Sequence, residues 1–311
     1  MRPFMKPIVV VMLAAAACAA LAAQAIPQAT GENVARDLRG AIDIHVHSLP
    51  DNVPRSLDGL EAARFAKDRG MRAIVLKSHF DPTAGLAFLA RKAVPGIEVF
   101  GGVDLNLPVG GMNPHAVEHM ARVSGGWGRM VWMSTFDSEN QIRVNKSKAP
   151  FVRVSDNGTL LPETKAVIAS IAKHSLVLAS GHVSAQEALL MFDEGRRVGV
   201  RAMVATHGMS APTSLTAEQA RQAAALGAFI EFTSGTLATA NAQAKVDRLA
   251  SDIRAVGIDH AILSSDLGQA GNPLPADGYA TYVEALRKKG FTDQELDRMA
   301  KQNPARLLGL Q

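Results

Sequence analysis

The sequence predicts an α/β protein, a (β/α)8 or TIM barrel, and three observations carry that prediction. Short apolar runs alternate with amphipathic stretches of helical period eight times along the chain. Side chains suited to metal ligation sit where those runs end: His45 and His47 in Asp43-Ile44-His45-Val46-His47, His79 after Leu76-Lys77-Ser78, His182 after Leu176–Leu178, His207 after Ala202–Ala205, and Asp266 after Ala261–Leu263. Residues so far apart meet only if every strand delivers its C-terminal end to one rim, as a closed parallel barrel does. An open doubly wound sheet is the competing arrangement. Against it, no glycine-rich phosphate turn follows the first strand, and the ligand-type residues lie on many strands instead of one switch point.

Taken in order, strands are predicted near Ala41–Val46, Ala73–Leu76, Glu98–Val103, Arg129–Met133, Leu176–Ala179, Ala202–Ala205, Phe229–Thr233 and Ala261–Ser264. All are short apolar runs, many of them β-branched. Helices are predicted near Asp58–Asp68, Gly85–Arg91, Pro114–Val123, Glu163–Lys173, Ala185–Val198, Ala217–Leu226 and Ala242–Val256, with Tyr279–Lys288 and Asp293–Leu308 closing the chain. Three helix starts carry capping-box spacing, with Ser184, Thr216 and Thr292 three residues before Glu187, Gln219 and Glu295. Gly70, Gly199, Gly227 and Gly257 each stand between a helix and the next strand, where a C-cap residue belongs.

One connection is too long for a turn. Ser134–Pro162 follows the fourth strand and carries a predicted hairpin, Phe151–Val154 with Thr159–Leu161, turned by Asp156-Asn157-Gly158. A loop of this length is usually functional or disordered. Rising from the C-terminal face, it is expected either to form a lid whose Arg143, Lys146, Lys148 and Arg153 meet an anionic substrate group, or to be a solvated excursion.

Residues 1–25 read as a secretory signal, with Arg2 and Lys6 before the apolar Ile8–Leu21 and a small-residue cleavage site at Ala23-Gln24-Ala25. A polar segment, 26–40, would then precede a barrel over 41–311, in a secreted or periplasmic protein. Cys18 would permit a lipoprotein, but Ala15 stands where a lipobox prefers leucine. Cys18 is the only cysteine, so the mature chain would have neither disulfides nor thiolate ligands nor a thiol nucleophile. The formal charge of +4 falls to +2 without Arg2 and Lys6. No block of like charge reads as a nucleic-acid stripe, and no later segment is long and apolar enough to cross a bilayer. A small-molecule partner is expected.

The ligand-type residues offer only nitrogen and oxygen donors. That set suits zinc, and also manganese, iron or cobalt. Two histidines at i and i+2 on a strand share a face, with Cα atoms roughly 6.5–7 Å apart, and can reach one ion.

In this respect the chain resembles the amidohydrolase superfamily, whose pattern is a His-x-His ending strand one, single histidines ending strands five and six, and an Asp ending strand eight. His45-Val46-His47, Ser180-Gly181-His182, Ala205-Thr206-His207 and Ser264-Ser265-Asp266 fall on those strands in that order. The tail Asn303-Pro304-Ala305-Arg306-Leu307-Leu308-Gly309-Leu310 looks like the closing helix common in the family. The resemblance runs from Ala41 to Leu310. It implies a metal-dependent hydrolase of a small molecule's amide, lactone, ester or cyclic amide bond, using water activated by one or two divalent ions. It also implies His45, His47, His182 and Asp266 as ligands, with Asp266 moving the proton and His207 ligating a second ion or contacting substrate.

The chain departs from the family at strand four, where a bridging lysine or glutamate is usual and Arg129–Met133 offers none. Lys77 at the end of strand two is the alternative, as a carbamate bridging two ions or as an anchor for a substrate carboxylate. His79, Gln269 and Asn272 are expected substrate contacts. Asp104, Asn106, Trp132, Glu231 and Thr233 are weaker candidates for the wall of the site. His115-Ala116-Val117-Glu118-His119 spells an inverzincin peptidase motif, but Pro114 marks it as the start of an ordinary outer helix. Competing functions are a phosphoesterase of the polymerase-and-histidinol-phosphatase type, a single-metal decarboxylase, and a barrel that binds metal or solute without chemistry.

Overall fold

The structure, a computed structural model, describes residues 32–237 and 241–310. The proposed export signal lies outside them. Ten strands occur in chain order: β1 (Ile42–His47), β2 (Ala73–Lys77), β3 (Glu98–Asp104), β4 (Gly128–Trp132), β5 (Ser155–Asp156), β6 (Thr159–Leu160), β7 (Val177–Ala179), β8 (Ala202–Ala205), β9 (Ala228–Thr233) and β10 (Ala261–Ser264). All but β5 and β6 form one parallel sheet in the order β1-β2-β3-β4-β7-β8-β9-β10. The sheet closes on itself through the segment after β10. Asp266 N donates to His45 O (3.0 Å) and His47 N donates to Leu267 O (2.9 Å). The architecture is the eight-stranded α/β barrel read from the sequence, with barrel strands within one residue of their expected ends.

The helices are α1 (Glu32–Leu38), α2 (Gly59–Asp68), α3 (Ala84–Ala93), α4 (Pro114–Arg122), α5 (Glu139–Val144), α6 (Pro162–Lys173), α7 (Ala185–Val198), α8 (Ala217–Ala225), α9 (Ala242–Val256), α10 (Pro275–Lys288), α11 (Asp293–Asp297) and α12 (Asn303–Leu308). The three expected capping boxes start α7, α8 and α11, and a fourth, Asp58 with Glu61, starts α2. The last helix is not continuous as predicted: a π-helical turn at Arg298–Gln302 separates α11 from α12. That offset lets α12 cross the barrel floor, where Ala305, Leu307 and Leu308 join Ile42, Ala73, Phe100 and Phe229 in the inner core. Asn303 Nδ2 pins it by donating to Ile258 O (2.8 Å) and Ala261 O (2.7 Å).

Two cores divide along the strand alternation. Ala73 and Val75 of β2 face inward, and Ile74 and Leu76 pack outward under the helices. The long connection differs from expectation. Its hairpin is only β5 with β6, turned at Asn157-Gly158, and it holds the unexpected helix α5. No helix among the described residues is long and apolar enough to cross a membrane.

Candidate metal centre

The centre begins with an irregularity in β1. Ile42 and Ile44 belong to the inner core, so strict alternation would send His45 and His47 outward. Instead the register passes from Asp43 opposite Ile74 to Val46 opposite Leu76. Three steps of β1 against two of β2 make a bulge, which re-aims the residues beyond it. Val46 then packs in the outer core, and both histidines line the cavity inside the rim. Asp43 braces the bulge: its Oδ1 accepts from His45 N (3.1 Å) and Ser265 N (2.9 Å). Burial pushes its carboxyl up to about 6 in spite of those bonds.

Three donor atoms converge beyond the bulge. His45 Nε2 and His47 Nε2 lie 3.1 and 3.2 Å from Asp266 Oδ1, and one ligand atom from each residue falls within 4.8 Å of the others. His207 and His182 continue the arc, with ring centroids 6.3 Å from His45 to His207 and 4.9 Å from His207 to His182. His79 lies 5.0 Å from His47 on the other side.

Glu231 on β9 organises much of this arc. One carboxylate oxygen faces His45 Nδ1 (3.1 Å) and accepts from Ser264 Oγ (2.7 Å), while the other accepts from His207 N (2.8 Å). With Nδ1 held there, His45 presents Nε2 to Asp266, the carboxylate–histidine arrangement that orients ligating imidazoles. The backbone is strained to the same end: φ is +30° at His207 and +51° at Asp266, a region that side chains bearing Cβ rarely occupy. Gly181, at φ +65°, sits where a Cβ would overlap the Met133 carbonyl, and that close approach sets the turn into His182.

The opposite wall is Lys77, fully buried, with Nζ 3.5 Å from Asp104 Oδ2 and 5.3 Å from the Trp132 ring. Burial raises the Asp104 carboxyl to about 6 against the pull of Lys77. Asp104 also lies 3.3 Å from His79 Nδ1 and accepts from Thr135 Oγ1 (3.0 Å). Phe136 stacks on His79 at 3.6 Å. Lys77, His79 and Phe136, together with His45, His47, His182, His207 and Asp266, line a cavity of about 530 Å³; Asp104, Trp132 and Thr135 stand behind that wall.

Burial opposes charge on Asp266, but His45, the His47 hydrogen bond and His207 outweigh it and hold the carboxyl far below its ordinary range. Burial pushes His47 down to about 3, and lowers His79, His182 and His207 as well. Burial acts the same way on His45, but Asp266 and Glu231 overcome it and raise that ring. Most of the cluster is therefore unprotonated near neutrality, the form a metal requires. His47 Nδ1, His182 Nδ1 and His207 Nδ1 are buried without hydrogen-bond partners among the described residues. A carboxylate amid neutral imidazoles with orphaned nitrogens could hold a divalent ion.

Of the residues singled out in the sequence, His45, His47, Lys77, His79, His182, His207, Asp266 and Gln269 all line this cavity. Arg143 does not. Glu139 is nearly buried and captures both Arg143 (2.7 Å) and Arg153 (3.2 Å), so these bases edge a separate polar pocket beside α7. Only Phe136 of the long excursion reaches the cavity wall. The excursion supports the centre from behind: Ser138 Oγ and Asn140 Nδ2 both donate to His182 O. Asn272 is also outside the wall, donating instead to Gln269 Oε1 (3.2 Å). Asn106 sits behind it, bonded to Thr135 and to His79 O. His115 and His119 are exposed on α4, and no other group of three ligand-type side chains among the described residues clusters as His45, His47 and Asp266 do. Arg55, which the sequence did not single out, lines the mouth together with Val53 and Pro54.

Solved structures share this architecture. An amidohydrolase from Pseudomonas aeruginosa is 13% identical, with a TM-score of 0.58 over 88% of this chain and 97% of its own. A mutant organophosphorus hydrolase from Deinococcus radiodurans is 16% identical, with a TM-score of 0.59 over 92% and 97%. A 2,6-dihydroxybenzoate decarboxylase from Rhizobium is 14% identical, with a TM-score of 0.53 over 87% and 99%. At such identities the likeness is one of fold alone, the eight-stranded α/β barrel. No curated protein matches the sequence. Residues 40–231 match one family model, so from β1 to Glu231 the chain belongs to a family of unknown function, DUF6282.

Proposed function

We propose that the protein is a metal-dependent hydrolase of a small molecule, cleaving an amide, lactone, ester or cyclic amide bond. The observation that carries this is the convergence of His45 Nε2, His47 Nε2 and Asp266 Oδ1 at the floor of a cavity large enough for such a substrate. The barrel shared with an amidohydrolase and an organophosphorus hydrolase supports the reading. His45, His47, His182 and Asp266 would hold the ion, for which zinc is proposed; the nitrogen and oxygen donors suit zinc and also manganese, iron or cobalt. A bound ion would supply activated water near neutral pH and polarise the scissile oxygen.

Asp266, held ionised by its histidine neighbours, accepts the proton of the attacking water and returns it to the leaving group. His207 either joins a second ion or contacts the substrate. Lys77, on the opposite wall of the same cavity, serves as a carbamate bridge or as a cation for the substrate. His79 and Gln269 contact the bound molecule from the sides.

The test is metal quantification of the purified protein, followed by hydrolysis of a panel of lactones, amides and esters with and without chelator. Chelation is expected to abolish turnover. Asp266→Asn is expected to keep much of the metal and to lose about 10²–10⁴-fold in rate, the usual worth of positioned proton transfer. Undiminished turnover in that variant refutes the proton-transfer role. Carbon dioxide release from hydroxybenzoates, with no bond in the panel hydrolysed, would move the assignment to decarboxylation.

A further inference from the structure

Arg55 is an unusual group to find at the mouth of this cavity. Its side chain is only 3% exposed, yet among the described residues Asp51 is the one acceptor it meets, through Nε at 2.7 Å. The Asp51 side chain is itself fully buried. Nη2 of Arg55 is buried with no acceptor among the described residues. A guanidinium cannot shed its charge, so a buried one with unused donors is costly unless something occupies them. The segment is built to hold it there. Arg55 pairs through its backbone with Gln269, and Ser56 N and Oγ donate to Gly268 O (2.8 Å) and Gln269 O (3.0 Å). The guanidinium is thus tied to the loop that carries Asp266, and it lines the same cavity.

Apart from Gln269, the lining near Arg55 is apolar, formed by Val53, Pro54, Phe136 and Ala270. Lys77, the other cation of the wall, has its charge balanced by Asp104 at 3.5 Å, although its Nζ, like Arg55 Nη2, makes no hydrogen bond among the described residues. Arg55 is paired through Nε and lacks an acceptor at the buried Nη2 among the described residues, which leaves that donor to be satisfied by an anion bound in the cavity. Guanidinium donors match the planar spacing of oxyanions, and such bonds are stronger than neutral ones.

We propose that Arg55 is a specificity-determining residue, and that the substrate of the hydrolase reading on which this rests is a compact molecule with an apolar body and an oxyanion, carboxylate or phosphoryl, held by the Arg55 guanidinium away from the bond that is cut. Asp51 is the positioning residue that fixes the guanidinium. No bond to Arg55 forms or breaks in the reaction.

Binding of benzoate, phenyl phosphate and neutral benzamide to the metal-loaded protein, measured by calorimetry, tests this without turnover. At least one of the two anions is expected to bind wild type about ten- to a hundredfold tighter than benzamide, the range for a hydrogen bond to a charged group. The tighter of the two identifies the oxyanion. Arg55→Met is expected to remove most of that preference with metal content unchanged. Because Arg55→Met strands the Asp51 charge and can unfold the mouth, Asp51→Asn/Arg55→Met is measured beside it, with thermal unfolding as the check on folding. Anions that bind wild type no better than benzamide overturn the proposal. A preference that survives in the folded double variant also overturns it, and assigns anion binding to the ion or Lys77. Metal content read in the same samples reports separately on the hydrolase reading.

Discussion

Glu231 is a single buried carboxylate that serves three donors from three strands or their ends: the His45 ring, the His207 backbone and the Ser264 hydroxyl. Burial works against its charge, and His45 and His207 more than compensate, so its carboxyl is held below the ordinary range. Removing the charge keeps the shape but frees the His45 ring to turn. Glu231→Gln is expected to weaken metal affinity about 10–100-fold, as loss of an orienting carboxylate does elsewhere. Competition with a chromogenic chelator measures it. Affinity equal to wild type would mean that the inner residues orient themselves unaided. Asp43 works one residue layer further out: its bonds hold the bulge, not the ion.

At the scale of elements, the excursion between β4 and α6 braces the site. Its Arg143 and Arg153 satisfy Glu139, and its Ser138 and Asn140 hold the His182 carbonyl. Arg143→Ala is therefore expected to leave kcat and KM within about twofold of wild type, as surface changes away from a site usually do. A tenfold rise in KM on steady-state assay would return Arg143 to the substrate. The eight barrel strands were legible because apolar runs report burial on both faces. The capping boxes were legible because they are local. The bulge in β1 was not, since it depends on Asp43 meeting Ser265 across the seam. Helix α5 was not either: its six residues are mixed in polarity, and contacts with the His182 loop hold it in place. Arg55 escaped notice for a similar reason, as one arginine in a polar loop gains meaning only from the buried Asp51 beside it.

For the molecule as a whole, metal and fold are one equilibrium. The candidate ligands come from the first and last strands of the barrel, so an unfolded chain has no site, and an ion bound there would favour the native state. At free metal one hundred times its Kd the native state gains about 2.7 kcal/mol, which for a domain of this size raises Tm by about 4–5 °C. Calorimetric scans with zinc and with chelator would measure it. Coincident melting curves would show that His45, His47 and Asp266 do not load. The same ledger leaves the barrel floor untouched, since α12 seals it at the far end from the cavity.

The seam between β1 and the stretch after β10 has a consequence for biogenesis. Its two banks are 219 positions apart in His47 and Asp266, and they are the first and last parts of the cylinder to be synthesised. A chain released early, before Ser264, would keep every one of the histidines discussed and still lack the carboxylate that gathers them. Tight loading with an ion would then report that synthesis has passed Asp266 and that the seam has zipped shut around it.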